Sequence, residues 1–352
     1  MNTTDWEIHR LERAAVRLQP EEPVDNGQLG VPTVEAMLGI ATDAGEFERE
    51  RKQALADIES ALYRKKAGRA GEEAVEQTLS EVIFPVGTHV FRNISVQIRK
   101  HYTIEIDVLI LNPAFALILE VKNIAGTLVF NEEEGKTVRI RENGETDLFD
   151  CYVHQLDRQI NGLTQLLDMR QLSLPVYGAV VLSNQNTIVK KRPVLYPLIY
   201  RKQLARHFRS LQTENTILSA PAAYQLSRLI GPRVERQQEL SLCEEKDFSP
   251  RIVRRGVLCL GCNQPIHAYQ GRGWYCRTCK LPGKEALRQA VEDRLILIKP
   301  DITNKQCREF LMIKHSAQAT RILNMLALTR LGDPPGTTYL KQGSGRLGWA
   351  GR

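Results

Sequence analysis

Two carboxylates and a lysine stand at the ends of neighbouring apolar stretches in the first half of the chain. Asp107 lies within IEIDVLIL, and Glu120 and Lys122 end FALILEVK. Side chains alternate along a strand, so Glu120 and Lys122 share a face, and the turn at Asn112 and Pro113 can bring Asp107 near them. Such a group could hold Mg²⁺ or Mn²⁺ and stabilise charge on a phosphate, which is equipment for phosphodiester hydrolysis. The alternative is an ordinary sheet end with exposed acids and a Lys–Glu pair.

Further motifs accompany this pattern and strengthen the catalytic interpretation. Gly68-Arg69-Ala70-Gly71-Glu72 opens a helix upstream, and HQLDRQINGL opens a helix downstream. In the order GRAGE, IEIDVLIL, LEVKNIAG and HQLDRQINGL, residues 65–180 resemble the nuclease-related domain (NERD) family, a branch of the PD-(D/E)XK superfamily. Asn123 and Gly126 also match the residues that follow the lysine in the family's motif.

The resemblance implies roles for five residues. Asp107 and Glu120 would be the ligands of a catalytic Mg²⁺ or Mn²⁺, and Lys122 would be the catalytic lysine. Glu72 would be a helix-borne acid that faces the metal, and Gln155 a polar helper at the site. The family often has a proline three residues before this glutamine, whereas this chain has Tyr152.

Hydrophobic periodicity predicts the elements that must position these residues. A helix is expected from Phe47 to Ser80, with Gly68 and Gly71 marking where a surface helix ends and a core helix begins. Strands are expected at 88–98, 104–111, 115–122 and 176–183, and a helix at 152–168. This order predicts the α/β class with a mixed sheet. The family resemblance implies that this is a PD-(D/E)XK restriction-endonuclease-like mixed sheet flanked by helices.

Four cysteines form two CxxC pairs that are separated by thirteen residues: Cys259, Cys262, Cys276 and Cys279. Each pair can present two thiolates at once, so this spacing predicts a tetrahedral, structural Zn²⁺ site rather than redox-active or unbound thiols. The segment resembles a zinc ribbon, including the small ribbons at the tail of bacterial topoisomerases. His267 is expected to be a hairpin residue and not a ligand.

Aromatic and basic residues alternate within and after the ribbon hairpin. Arg272, Trp274 and Arg277 are therefore candidates for nucleic-acid binding, since aromatic rings can stack on bases and guanidinium groups can neutralise phosphates. An equally open alternative is that the aromatic side chains only cover the small core of the ribbon.

The C-terminal segment has the element order of a winged helix. Residues 284–298 predict an amphipathic helix, a second helix runs to about Ile313, and Ser316 is a candidate N-cap of a third. A strand, turn and strand follow. This piece resembles winged-helix modules, in which Lys314, Gln318 and Arg321 would contact DNA. The alternative is a small helical module for protein contacts.

Charge is unevenly distributed along the chain. Residues 1–250 carry a net charge of −5 and residues 251–352 carry +12. A basic C-terminal region favours a nucleic-acid partner, with solubility as the alternative. The sequence lacks long apolar stretches and an N-terminal apolar segment, so we expect a cytoplasmic protein without a membrane partner.

These patterns predict five segments along the chain: an N-terminal helical extension (1–60), a NERD nuclease-like domain (61–245), a four-cysteine zinc ribbon (251–283), a winged-helix-like DNA-binding module (284–342) and a flexible tail (343–352). The predicted function is a divalent-metal-dependent nuclease, a hydrolase that acts on DNA. The alternatives are a non-catalytic DNA-binding or sensor protein with a nuclease fold, and a protein-interaction adaptor. Residues 1–45 receive no role from the sequence.

Overall fold

The computed structural model describes residues 3–20, 41–211, 216–230, 240–269, 273–333, 336–341 and 345–350. The chain divides into two compact units. The central unit is Lys65–Glu235, and the terminal unit combines Met1–Arg64 with Arg236–Arg352. Within the described ranges, no helix combines the length and the apolar character needed to cross a membrane.

The chain begins with helices α1 (Thr3–Leu18) and α2 (Ala41–Ser80), and the last part of α2 belongs to the central unit. The remaining elements of the central unit are, in order, β1 (His89–Arg99), β2 (Tyr102–Leu111), β3 (Ala116–Lys122), β4 (Thr127–Asn131), β5 (Lys136–Ile140), β6 (Thr146–Asp150), α3 (Tyr152–Asp168), β7 (Val176–Leu182), β8 (Ile188–Lys191), β9 (Leu198–Tyr200), α4 (Leu204–Leu211) and α5 (Ala220–Ile230).

A five-stranded mixed sheet is the frame of the central unit, in the order β1-β2-β3-β7-β9. The first three strands are antiparallel, whereas β3, β7 and β9 run parallel. A parallel pair needs a crossover connection, and α3 lies in the one between β3 and β7. A second sheet, β6-β5-β4-β8, is formed by shorter strands. The predicted α/β class with a mixed sheet flanked by helices is confirmed.

Both faces of the large sheet are covered, which explains the continuous apolar runs of β3 and β7. On one face, Ala116 and Ile118 pack with residues of α3 and α5. On the other face, Leu117, Leu119 and Val121 pack with residues of α2 and α4. By the alternation of β3, Glu120 and Lys122 belong to the face that α3 covers.

Helix α2 is continuous through Gly68 and Gly71, so the expected break between two helices is wrong. A helical glycine costs about 1 kcal/mol relative to alanine, which is too little to end a long helix that packs on a sheet. Gly71 is required by close packing: a Cβ atom there would lie 2.6 Å from Asn123 Cβ and 2.7 Å from Ser183 Oγ.

The elements of the terminal unit after residue 236 are α6 (Leu242–Glu245), β10 (Val257–Leu258), β11 (Pro265–Tyr269), β12 (Gly273–Tyr275), α7 (Lys284–Leu297), β13 (Asp301–Thr303), α8 (Asn304–Leu311), α9 (Ser316–Asn324), β14 (Thr329–Leu331) and β15 (Thr338–Leu340). Strands β10, β11 and β12 form one sheet, and the last three strands form another in the order β13-β15-β14. Thr303 caps α8 through Gln306 N–H. The N-cap of α9 is His315, not Ser316, and the Ser316 hydroxyl donates to Asn304 Oδ1 at 3.1 Å.

Helices α1 and α7 supply much of the interior of the terminal unit. Trp6, Leu11 and Ala14 of α1 belong to the same apolar cluster as Val291 and Leu295 of α7. The N-terminal residues, to which the sequence gives no role, therefore help to form this core.

Residues 345–350 lie in the stretch for which the glycine content predicts a flexible tail. In the structure they make specific contacts. Leu347 is buried, Trp349 Nε1–H donates to Glu285 Oε1 at 2.8 Å, and Ala350 N–H donates to Met325 O at 2.9 Å.

Candidate functional sites

The central sheet forks between β2 and β3. The pairing of these strands runs from Leu111–Ala116 to Val108–Leu119 and stops there. Beyond that point β2 continues alongside β1, and β3 continues alongside β7. Asp107 is the first residue of β2 past the last pair, and Glu120 is the first of β3. The fork therefore places one carboxylate on each of its branches.

Asp107 is attached to the opposite branch through the backbone. Its Oδ2 atom accepts a hydrogen bond of 2.8 Å from Val121 N–H, which no longer has a ladder partner on β2. The end of strand pairing thus frees a backbone donor, and the carboxylate of Asp107 takes it up.

Glu120 is fully buried and is held at both oxygens. Its Oε1 atom lies 2.5 Å from Lys122 Nζ, and its Oε2 atom accepts a hydrogen bond of 2.6 Å from Gln159 Nε2 on α3. Lys122 Nζ also donates to Gln155 Oε1 at 3.3 Å and lies 4.7 Å from the centre of the Tyr152 ring. A buried charge is tolerated only with such partners.

Glu72 approaches the fork from α2. The neighbouring Gly71 lets the helix come close to the chain after β3, and Asn123 Nδ2 fixes this contact by donating to Ala67 O at 2.8 Å. Glu72 Oε2 accepts a hydrogen bond of 2.8 Å from Asn93 Nδ2 on β1. The GRAGE and EVKN motifs are thus connected through helix packing.

Without a bound cation, the charged form of Asp107 is disfavoured at the fork. Burial and the negative charge of Glu120 raise the pKa of Asp107 to about 7, although Lys122 and the Val121 N–H act in the opposite direction. Glu72 adds a further small rise to the pKa of Asp107. The single ammonium of Lys122 pairs with Glu120 and does not offset the effects that raise the pKa of Asp107. Oxygen donors with excess negative charge are the ligand set that Mg²⁺ and Mn²⁺ prefer, so the residues fit such a cation.

The structure places the five sequence-predicted residues as follows. Asp107, Glu120 and Lys122 meet at the fork, and Gln155 joins them through Lys122. Glu72 is connected by its influence on the pKa of Asp107, and it makes no hydrogen bond to the other four within the described residues.

Sequence reasoning missed three residues at the fork: Tyr152, Gln159 and Asn93. Gln159 follows Gln155 by four residues, and this helical spacing puts both on one face of α3, so the sequence carried a usable signal. Tyr152 stands where the family often has proline, and its ring packs against Lys122. For Asn93 the only signal is that asparagine is uncommon within strands.

The four cysteines of the terminal unit converge. Their sulfur atoms all lie within 4.8 Å of one another, and Cys262 Sγ is 3.7 Å from Cys276 Sγ. The two CxxC turns have matching backbones. Asn263 N–H donates to Cys259 O at 2.9 Å, and Lys280 N–H donates to Cys276 O at 2.9 Å.

Backbone N–H groups also point at the sulfur atoms. Gly261 N–H donates to Cys259 Sγ at 3.4 Å, and Cys279 N–H donates to Cys276 Sγ at 3.3 Å. Burial opposes ionisation of Cys276, but the Cys279 N–H and the neighbouring thiols of Cys259 and Cys262 lower its pKa to about 7. Four convergent sulfur atoms with N–H donors fit a tetrahedral metal ion that is bound by thiolates.

The candidate nucleic-acid contacts of the ribbon have different surroundings. Trp274 is half-buried and packs on the core of the terminal unit. A Cβ atom at Gly283 would lie only 2.7 Å from Trp274 Cβ. Arg277 is exposed in the second CxxC turn, and Arg272 lies outside the described residues. Trp274 thus contacts the core with part of its side chain, and Arg277 lies at the surface.

The candidate contacts of the last helices lie at helical spacing. Gln318 and Arg321 are three residues apart on α9, and Lys314 precedes the helix by two residues. Lys314 and Arg321 are exposed, whereas Ala319, Ile322 and Leu323 face the core. Asn304 Nδ2 joins α8 to α9 by donating to Ser316 O and Thr320 Oγ1.

Comparison with known families gives one match. Residues 67–183, a third of the chain, match the model of the nuclease-related domain (NERD) family. No curated protein and no solved structure matches the chain. The matched segment begins in α2 before Glu72 and ends just after β7, so it contains every residue that meets at the fork. This segment of the chain is a nuclease-related domain.

Proposed function

We propose that the central unit is a metal-dependent nuclease that hydrolyses phosphodiester bonds in DNA. Asp107 and Glu120 would hold Mg²⁺ or Mn²⁺ with help from Glu72. The observation that carries this proposal is the meeting of Asp107, Glu120 and Lys122 at the fork of a nuclease-related domain. An ordinary sheet end would expose its acids to water, whereas here Glu120 is fully buried.

The side chains at the fork have separate tasks in this proposal. A bound divalent cation would activate water and polarise the scissile phosphate. Lys122 places a positive charge where the pentavalent phosphate develops negative charge. Gln155 and Tyr152 hold that ammonium from one side, so it is oriented before substrate arrives. Glu72 contributes a further carboxylate from α2.

The terminal unit would bind the DNA, through a structural zinc ribbon and a winged-helix-like module. The order helix, strand, helix, helix and hairpin, with sheet order β13-β15-β14, supports the winged-helix prediction. In that arrangement α9 is the recognition helix. Lys314, Gln318 and Arg321 would meet the duplex, and the +12 charge of residues 251–352 would attract it.

The nuclease is tested by cleavage of labelled single- and double-stranded DNA with Mg²⁺ or Mn²⁺. Glu120→Gln removes a proposed ligand charge and should reduce cleavage by about 10³-fold or more, the size of effect that follows loss of a major electrostatic contributor. Glu105→Gln is the matched control, because Glu105 lies two residues before Asp107 on the same strand but is exposed. It should cleave like the wild type.

The cleavage assay also separates the alternative function. A folded wild type that binds DNA but cleaves neither DNA nor RNA with any divalent ion would favour the non-catalytic DNA-binding or sensor protein. Equal cleavage by wild type and Glu120→Gln would show that the activity is not located at the fork.

Zinc is tested by metal analysis of the full chain. We expect one zinc ion per chain in the wild type and in Cys243→Ala, which changes a buried cysteine outside the cluster. Cys276→Ser should lose the zinc, because three thiolates bind it far more weakly than four. Wild type purified without zinc and unable to take it up would exclude the zinc ribbon.

DNA binding is tested with the triple variant Lys314→Ala, Gln318→Ala and Arg321→Ala. Binding should weaken, and the slope of log K against log salt should fall by about 0.9 for each phosphate that the variant no longer neutralises. Lys305→Ala is the control, because Lys305 is an exposed lysine on the neighbouring helix α8. Unchanged affinity and slope in the triple variant would exclude α9 as the DNA-binding helix.

A further inference from the structure

Gln159 joins the two branches of the fork. Its Nε2 group donates to Glu120 Oε2 on β3 at 2.6 Å and to Glu105 O on β2 at 2.8 Å. Both hydrogen atoms of one amide group are therefore used, one on each branch. The side chain is buried, so water does not compete for these bonds. Its length fixes the separation of β2 and β3 where strand pairing has ended.

Asn93 stands on the other side of the fork in an unusual backbone conformation. Its φ of +48° lies in the left-handed region, in the middle of strand β1. Strand β1 pairs Arg92 with Val108 and Ile94 with Ile106, so Asn93 stands beside Asp107.

The apolar faces of both strands exchange sides at this point. Val90 and Ile94 are four residues apart in β1, so a regular strand would place their side chains on the same face. Instead, Val90 packs with α2 and α4, whereas Ile94 packs with α3. In β2 the same exchange occurs between Val108 and Ile106. Both strands therefore turn at Asn93 and Asp107, and the amide of Asn93 donates to Glu72 Oε2 from this turn.

We propose that Gln159 and Asn93 are positioning residues of the nuclease site, and this inference rests on the function proposed above. Each amide holds one oxygen of a carboxylate, Oε2 of Glu120 and Oε2 of Glu72. Together with the Val121 N–H on Asp107 Oδ2, one oxygen of each of the three carboxylates is fixed by a neutral donor. Glu72 Oε1 and Asp107 Oδ1 receive no hydrogen bond from the described residues, and Glu120 Oε1 lies 2.5 Å from Lys122 Nζ. These oxygens would be the ones left to bind a cation.

A purely structural role explains these two residues less well. Gln159 keeps its Oε1 atom buried without a hydrogen-bond partner, and this desolvation cost would be avoided by an apolar side chain. Asn93 adopts a conformation that glycine adopts at no steric cost. An apolar residue at 159 would avoid the unpaired oxygen and glycine at 93 would avoid the steric strain, but both would lack the amide.

The experiment measures binding of Mn²⁺ to the full chain by electron paramagnetic resonance, in wild type, Asn93→Gly and Gln159→Met. Asn93→Gly loses the donor to Glu72 but keeps the φ without strain, and methionine matches the length and shape of Gln159. We expect the Kd for Mn²⁺ to rise roughly 10- to 100-fold in both, the usual effect of removing a partner that orients a metal ligand. Thermal unfolding of the metal-free Asn93→Gly protein should stay close to that of wild type.

Gln165→Met is the matched control, because Gln165 lies on the same helix and pairs with Arg99 away from the fork. It should bind Mn²⁺ like the wild type. If wild type binds Mn²⁺ and Glu120→Gln does not, but Asn93→Gly and Gln159→Met keep wild-type affinity, the positioning role is wrong while the nuclease site stands. If wild type fails to bind Mn²⁺, the proposed nuclease site is wrong and this inference falls with it.

Discussion

Two groups of buried charges in this chain have opposite electrostatics. At the fork of the central unit, Lys122 pairs with Glu120 and lowers the pKa of Asp107, but burial and the charge of Glu120 raise that pKa by more. In the terminal unit, Arg13 and Arg17 of α1 both bind Asp293 of α7, at 2.7 Å each. Burial would raise the pKa of Asp293, but the two guanidinium groups outweigh it, and the pKa is lowered. The pKa of Asp107, in contrast, is raised to about 7.

The two groups differ in whether side chains of the protein neutralise the negative charge of the carboxylates. The two oxygens of Asp293 receive the guanidinium donors of Arg13 and Arg17 together with an N–H from Gln289. This carboxylate joins helices that are far apart in sequence and needs no further ligand. Asp107 keeps one oxygen without a hydrogen bond from the described residues and lies beside a second carboxylate. A buried acid whose charge is neutralised by cationic side chains stabilises the fold, whereas an acid whose charge is not neutralised is available to bind a cation.

The largest expected effect is the loss of stability when the charge of Asp293 is removed from the terminal unit. Asp293→Asn keeps the size of the side chain but leaves Arg17, which is 1% exposed, without its counter-charge. Breaking a buried pair from one side costs about 3–5 kcal/mol. The free energy of unfolding of the terminal unit, measured by urea denaturation, should fall by that amount.

Glu309→Gln is the control for this loss. Glu309 is exposed on α8 and lies 3.9 Å from Lys305, so its removal should change the free energy of unfolding by less than about 0.5 kcal/mol. Equal stability of the two variants would mean that the contacts of Asp293 contribute nothing, and the contrast with the fork would disappear.

At the fork, removal of a carboxylate charge is expected to raise the free energy of unfolding, not to lower it. Asp107→Asn removes a charge that burial and Glu120 disfavour, and its amide oxygen can still accept from Val121 N–H. Asp107 is partly exposed, so part of the penalty is screened, and we expect the metal-free protein to gain about 1–3 kcal/mol at pH 8. Glu105→Gln, on the exposed side of the same strand, should have little effect. A loss of stability in Asp107→Asn would show that its charge is compensated.

Sequence reasoning worked well for the central unit because its signals are local. Period-two alternation and apolar runs located β1, β2, β3 and β7, and helical periodicity located α3. The proposed catalytic residues follow from strand alternation and a short turn, which together place Asp107 beside Glu120. The fork itself was not predicted, because the end of strand pairing leaves no mark on composition. Asn93 at the fork was missed for that reason, whereas Gln159 was missed although its spacing of four residues from Gln155 gave a usable signal.

The terminal unit shows where this reasoning fails. Periodicity predicted residues 284–298 as an amphipathic helix, and a helix is present at Lys284–Leu297. In the structure, Glu292, Asp293 and Arg294 of this helix are buried. Their partners include Arg13 and Arg17, about 280 residues earlier in the chain, and the sequence alone gives no hint of that pairing. The CxxC pairs were predicted correctly as a converging cluster, since each turn is a local motif.

The smallest expected effect is the dependence of stability on pH, and this measurement isolates the charge of Asp107. The pKa of Asp107 is about 7 in the folded chain against 3.8 ordinarily, so between these values the folded state holds a proton that the unfolded chain has lost. Wild-type stability should therefore fall as pH rises from about 4 to about 7, and stay level above that range. Asparagine does not titrate, so the stabilisation by Asp107→Asn should be smaller at pH 5 than at pH 8, when both proteins are melted without metal. A difference in melting temperature that is the same at both pH values would mean that Asp107 is ionised throughout, with Lys122 as a sufficient counter-charge for the fork.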